Sequence, residues 1–461
     1  MSETVQVHFP SEVPLRHKAE IVVIGGGPGG IGAAVAAARE KRDVLLVEHY
    51  GFLGGMATAG EVHPFMTNAL GQERLDQGLF TEWLERINRL GGGMPKSPAK
   101  IGNDGFDPNV ARLAAEELCL EAGVRLLFHH RPVLVEKDGR RISTVVLHSK
   151  SGLTGVQADV FIDSTGDGDL AAMAGCAFEY GGESGPDAQP MTLCFKVRVE
   201  PNDLPEEFRA QGPAAWLWKN RASVQAAFER AKKAGLYVPR QNVLMFSCTD
   251  KYVVHFNSTR VMKKSGINGE ELSAAEIEGR KQLRDLTAFL KAEIPIFKNL
   301  RLHSIAVQIG VRETRRIRGR AYLTRNDYAR GAVFPDGIVR CRYPIDIHNP
   351  NGEGTEITRL PDDAWYEVPY GCLVPADADN LLIGGRCISV DHAVHSSIRV
   401  MPPVCSLGQA AGTAAAMALE QKTDPSKIDG TGLKERLIRN GRNLLRHPPE
   451  FKQTVPEQTS V

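Results

Sequence analysis

Three histidines stand in places from which a proton could be moved. His392 and His395 lie in "DHAVHSSIRV", just ahead of a small-residue helix, and His348 closes "YPIDIH" behind Asp346, which could orient its ring. Imidazole titrates near neutrality, so a histidine beside a reacting group is well matched to accept an O–H or N–H proton. Histidine is also an ordinary structural residue, and nearness to the reacting group decides between the two readings. His63 in "GEVHPFM" is a weaker candidate, and the adjacent pair at 129 and 130 reads as structural. A basic run, Arg312, Arg315, Arg316, Arg318 and Arg320, reads either as a solvated face or as an anion site in which guanidinium forks grip a carboxylate. Arg399 and Tyr343 are further substrate-binding candidates. Trp216 and Trp218 read as packing or a lid.

Two glycine-rich segments must position these groups. "IVVIGGGPGG" predicts a buried strand at 21–24, a turn at 25–30 and a small-residue helix at 31–39. Gly25, Gly27 and Gly30 match G-x-G-x-x-G, with Pro28 inside the turn. Gly25 serves the turn, Gly27 the close approach of a pyrophosphate and Gly30 the packing of helix on strand. "DVLLVE" supplies a second strand ending in Glu48, placed to hold ribose hydroxyls and to repel a 2′-phosphate. Residues 21–38 carry no charge, but their glycines and Pro28 argue against a membrane span. Near the other end, Pro402 and Pro403 open a helix whose Gly408, Ala411, Gly412 and Ala415 make a slim face expected to pack on a sheet. Its start, near Val404, suits the negative charge of a reduced flavin. Together the segments describe one extended cofactor, FAD.

Lys and Arg number 56 against 55 Asp and Glu, a net charge of +1 that leaves no electrostatic footprint for nucleic acid. The eight cysteines contain no C-x-x-C pair and read as buried thiols, with no metal site expected. No signal pattern is visible at the N-terminus, so a cytoplasmic location is expected. Helices are expected at 73–90 and 108–122, short strands over 124–163, and strands from about 190 to 370 interrupted by a charged helix at 271–292. Apolar strand, loop and small-residue helix return after residue 380. The expected fold class is therefore α/β, with a discontinuous domain of residues 18–185 and 371–425, an inserted, mostly antiparallel β-rich substrate domain at 186–370, and a helix and polar tail at 426–461.

"DSTGDGDL", "VRETRRIRG", "YPIDIH", "VPYGCLVP", "NLLIGGRCIS" and "HSSIRVMPPVCSLGQAAGTAAA" together resemble the FAD-dependent oxidoreductase family of glutathione-reductase-like, Rossmann-type flavoproteins. The resemblance implies noncovalently held FAD and a redox activity. It also implies that Gly54, Gly55, Met56 and Thr58 line the cofactor and that Val133 meets adenine through its backbone. Thr165, Gly166 and Asp167 would lie near the phosphates, with Gly385 and Arg386 leading back to the flavin. The chain lacks the redox cysteine pair and second nucleotide domain of disulfide reductases. The expected activity is hydride removal from a C–H next to oxygen or nitrogen of a small organic molecule to flavin N5, with oxygen, a quinone or a carrier protein as acceptor. A monooxygenase reduced by NAD(P)H and a non-catalytic FAD-binding redox sensor are the alternatives. An oligomer is compatible with the sequence.

Overall fold

A computed structural model describes residues 10–94, 101–182, 185, 187–352 and 354–444. The expected polar tail at 446–461 lies outside them. The chain runs through β1 (Leu15–Ile24), returns along α1 (Pro28–Arg39) and enters β2 (Val44–Val47). Ile21 to Ile24 are buried because β1 has a parallel neighbour on each side, as a strand without charge requires. β3 (Arg125–Leu127) extends the sheet beyond β2. β4 (Arg131–Asp138), β5 (Arg141–Ser149) and β6 (Gly152–Asp163) form an antiparallel meander, and β6 pairs parallel with β1 from Gly155 to Asp163. The helix α1 starts three residues before the expected 31, because a proline at the first position gives up only an N–H that has no partner within the helix. The anticipated early helices are observed as Leu79–Arg89 and Pro108–Glu121.

A second sheet is built from β7 (Phe195–Arg198), β8 (Met245–Ser247), β9 (Val253–Phe256) and β10 (Arg301–Ile305), in the order β8-β9-β7-β10 and antiparallel throughout. The charged helix α2 (Gly269–Glu293) is present, capped by the Asn268 side chain. Three helices at Glu206–Arg209, Pro213–Lys219 and Arg221–Lys233 were not anticipated among the strands. Trp218 is exposed on the second of them, while Trp216 packs against the second core. The hairpin of β11 (Ile345–His348) and β12 (Thr355–Thr358) follows, and β13 (Leu381–Ile383) pairs with β6 beside Asp163. The short α3 (His392–Ile398) leads into α4 (Met401–Glu420).

Buried apolar side chains fall into two clusters. One contains only residues between Met191 and Val311. The other joins β1, α1 and their neighbours to buried residues from Ile317 through Leu444. Residues 317–370, expected in the inserted unit, therefore pack with the cluster that holds β1 and α1, because their apolar faces lie against α3 and α4.

The slim face of α4, expected to lie on a sheet, meets α1 at its glycines. A Cβ on Gly408 would strike the Gly29 carbonyl, and one on Gly412 the Ala33 carbonyl. Both partners advance by four residues, so the helices run parallel. α4 begins seven residues before Gly408, so its start overhangs that of α1 by roughly 10 Å at 1.5 Å per residue. No helix among the described residues is long and apolar enough to cross a membrane.

Candidate cofactor and substrate site

A cavity of about 740 Å3 lies at the carboxyl ends of β1 and β6, bounded by the starts of α1 and α4 and by residues of the second sheet. At one end, Gly25 has φ +102° and donates its N–H to Val47 O at 2.8 Å, making the turn that only glycine adopts easily. Gly29 and Gly30 are demanded by packing, since a Cβ on either would strike a backbone carbonyl, of Gly384 or Gly25. Gly30 accordingly does not line the cavity. Gly27 differs. Its φ of −72° suits any residue, and a Cβ there would meet only Gly55 Cα at 3.8 Å. Gly27 and Pro28 both line the cavity, so the protein itself does not require glycine at 27; a ligand lying against that backbone does.

Glu48, 4% exposed, accepts the Gly26 N–H at 2.6 Å and the Tyr50 N–H at 2.9 Å while lining the cavity. A carboxylate has further lone pairs to offer ribose hydroxyls. Gly55 and Met56 line the cavity, whereas Gly54 and Thr58 stand behind it. The Gly54 N–H bonds Gly26 O at 2.8 Å and the Thr58 hydroxyl bonds Leu53 O at 2.7 Å, so both shape the loop. Val133 does not line the cavity, and its side chain is exposed; His130, Arg131 and Pro132 line it instead. The "DSTGDGDL" loop is fixed by Asp163, which is buried and accepts from Thr165 N–H at 3.0 Å, Thr165 Oγ1 at 2.7 Å and Ala171 N–H at 2.9 Å. Burial pushes its pKa up to about 6, against the pull of these donors. Thr165, Gly166, Asp167, Gly385 and Arg386 all line the cavity, with Arg386 bonded to Asp167 at 2.6 Å. The cradle, the acidic grip and the second loop fit the ADP half of FAD.

At the other end, Met401 and Val404 line the cavity. The helix start offers fewer donors than expected, because Pro402 and Pro403 have no N–H and the Val404 N–H bonds Val400 O at 3.2 Å. The Met401 N–H and the helix dipole remain to face a negatively charged ring edge.

Of the three candidate bases, the cavity receives only His348. Its Nε2 lies 3.7 Å from Asp346 Oδ1 and its Nδ1 3.3 Å from Thr355 Oγ1. Burial, and then Arg312, Arg399, Arg240 and Arg260, hold its pKa well below the usual range, so it is neutral, and the same cations weaken it as a base until an anionic group offsets them. His392 instead bonds Glu313 Oε1 at 2.8 Å, and Arg316 bonds the same oxygen at 2.6 Å. Burial disfavours the Glu313 charge, but the His392 hydrogen bond and the Arg316 guanidinium win, holding its pKa at about 2. His395 is wholly buried, kept neutral mainly by burial, and neither ring nitrogen has a hydrogen-bond partner. Nearness in sequence to α4 misled, because the buried face of α3 turns its histidines toward Glu313 and the core.

The arginine run divides likewise. Arg312 lines the cavity; Arg315 bonds Asp167 O at 3.0 Å and Asp169 at 2.8 Å and so braces the loop away from substrate. Arg318 pairs with Glu179, and Arg320 reaches Ser426 O and Asp379. Arg399, Tyr343 and His63 line the cavity. The Tyr343 hydroxyl bonds Asp346 at 3.2 Å. Burial, with help from Lys196, lowers the His63 pKa to about 4. Two arginines absent from the sequence reading, Arg240 and Arg260, line the same end. Each stands alone in its segment, "VPRQN" and "STRVM"; the available signal was an arginine beside apolar residues with no acid nearby. No group of His, Cys, Asp or Glu that could hold a metal occurs among the described residues.

The profile of the FAD dependent oxidoreductase family matches residues 20–437. No curated protein matches the sequence. Solved structures with similar chains include a geranylgeranyl bacteriochlorophyll reductase-like protein from Thermoplasma acidophilum, at 13% identity over 92% of this chain and 83% of that one, with TM-score 0.46. A myxobacterial chondrochloren halogenase aligns at 13% identity over 92% and 79%, with TM-score 0.47. An anhydrotetracycline hydroxylase from Streptomyces rimosus aligns at 13% over 92% and 68%, with TM-score 0.41.

Proposed function

The chain belongs to the FAD dependent oxidoreductase family, and from that premise we propose that it oxidises a C–H next to oxygen or nitrogen in a small organic substrate. The observation that carries this reading is the meeting of His348, Tyr343, Asp346, Arg312 and Arg399 at the end of the cavity where α4 begins. Bound FAD supplies an acceptor for the hydride. Arg312 and Arg399 hold and orient the substrate through an anionic group. His348 takes the hydroxyl or amine proton as the carbon becomes C=O or C=N, so a hydride and a proton, two electrons and two protons in all, leave the substrate. Asp346, next to the ring, stabilises the resulting imidazolium. Val404, Met401 and Met56 shield the reacting carbon from water.

Anaerobic titration of the yellow holoenzyme tests this, first with NAD(P)H and then with hydroxy acids, alcohols, sugars and amines. Bleaching by an organic substrate is the expected result. Bleaching by NAD(P)H alone would replace the proposal with a monooxygenase, and no bleaching by either would replace it with a redox sensor.

A further inference from the structure

The ring end of the cavity holds more positive charge than one anionic group requires. Arg312 gives an N–H to the Pro190 carbonyl, and Arg399 bonds Asp346 O at 3.2 Å and the Gln189 side-chain oxygen at 3.4 Å. These acceptors are uncharged. Arg240 is 7% exposed, and its Nε is buried with no partner. Among the described residues, none of these three has a carboxylate within ion-pair distance. Asp346 is the one carboxylate whose charge is felt by both Arg240 and Arg312. Three arginines against one aspartate leave two positive charges over. Burying guanidinium groups without counter-charge is costly, and an anionic ligand removes the cost.

Arg312 and Arg399 bond the consecutive residues Pro190 and Gln189, whereas Arg240 reaches the same cavity, which His348 also lines, from a separate segment. Resting on the oxidation reading above, we propose that the substrate is a compact dicarboxylate, one carboxylate taken by Arg312 with Arg399 and the other by Arg240. Its oxidisable carbon lies between the two carboxylates, beside His348. A cationic amine is repelled by such a site, and a neutral sugar leaves its charges unpaired.

The test is equilibrium binding to the oxidised holoenzyme, followed by calorimetry and by the flavin spectrum. The probes are malonate, succinate and glutarate, each against its own monoamide, with inorganic phosphate alongside. At least one dicarboxylate is expected to bind on the order of a hundredfold more tightly than its monoamide, the yield of a charge-assisted contact. Arg240→Gln is expected to reduce that ratio to about threefold or less while FAD content stays the same. The comparison on the parent protein needs no variant, so a poorly folding Arg240→Gln does not block it. Equal affinity of every dicarboxylate and its monoamide, or tighter binding of phosphate than of any dicarboxylate, overturns the proposal. Flavin bleaching by a neutral alcohol alongside such a result would leave the oxidation reading standing. Tight dicarboxylate binding with no bleaching by any organic donor would overturn that reading alone.

Discussion

Replacing Gly27 separates what the fold needs from what the cofactor needs. A Cβ at this position meets Gly55 Cα at 3.8 Å, an ordinary contact, and the backbone φ of −72° is open to any residue. Gly27→Ala is therefore expected to leave apoprotein stability unchanged or to raise it by about 0.4–1 kcal/mol, through the reduced freedom of the unfolded chain. The methyl group enters the cavity, where overpacking against a ligand costs about 1–3 kcal/mol, a loss of roughly fivefold to 150-fold in FAD affinity. Gly27→Val should go further and yield colourless protein. Gly29→Ala is the contrasting control, because its Cβ strikes the Gly384 carbonyl and backbone cannot give way. It should lower the melting temperature with or without FAD. Flavin fluorescence titration gives the affinities, and thermal melts of apoprotein and holoprotein give the stabilities. A Gly27→Val protein that kept its full flavin with an unchanged spectrum would refute the reasoning. So would one whose apoprotein melted many degrees early.

His348→Asn is expected to keep FAD and slow flavin reduction about a hundredfold or more in anaerobic stopped flow; His395→Asn should change stability and leave that rate within a few fold, and the reverse pattern would sink the assignment. Folded His63, with a pKa of about 4, stays neutral where the unfolded residue, near 6.5, gains a proton. Stability is therefore lost as pH falls through 6.5 toward 4, by about 3 kcal/mol from this residue, and denaturant titrations of His63→Gln should show a shallower slope over that window. Arg315→Ala should loosen the Asp167 loop and weaken FAD binding about tenfold, with substrate KM unchanged; a change in KM alone would return Arg315 to the substrate.

The dinucleotide turn was legible because its constraints are local: strand, glycines, helix and Glu48 follow one another and touch one another. The helices Glu206–Arg209 and Pro213–Lys219 escaped because Pro205, Gly212 and Pro213 break the pattern into pieces too short to read. The substrate end was half legible. Arg312 was named only within a run of five arginines, with Arg315 beside it as a substrate contact, and nothing in the run says which of them faces the cavity. Arg240 and Arg260 converge from separate segments flanking β8 and β9, and nothing in either segment names the other.

The parallel contact of α1 with α4 bears on how the molecule is made. On the ribosome, α1 emerges early, yet the carbonyl of Gly29 has no Gly408 to lie against until some of the last described residues are synthesised. Until then the alanines of α1, among them Ala33, Ala34 and Ala37, have lost no surface to their final partner. Contacts this distant in sequence form slowly and leave apolar surface exposed to aggregation. Nascent chains stopped short of α4 are thus expected to be clients for chaperones, since α1 gains its packing partner only once α4 has been made.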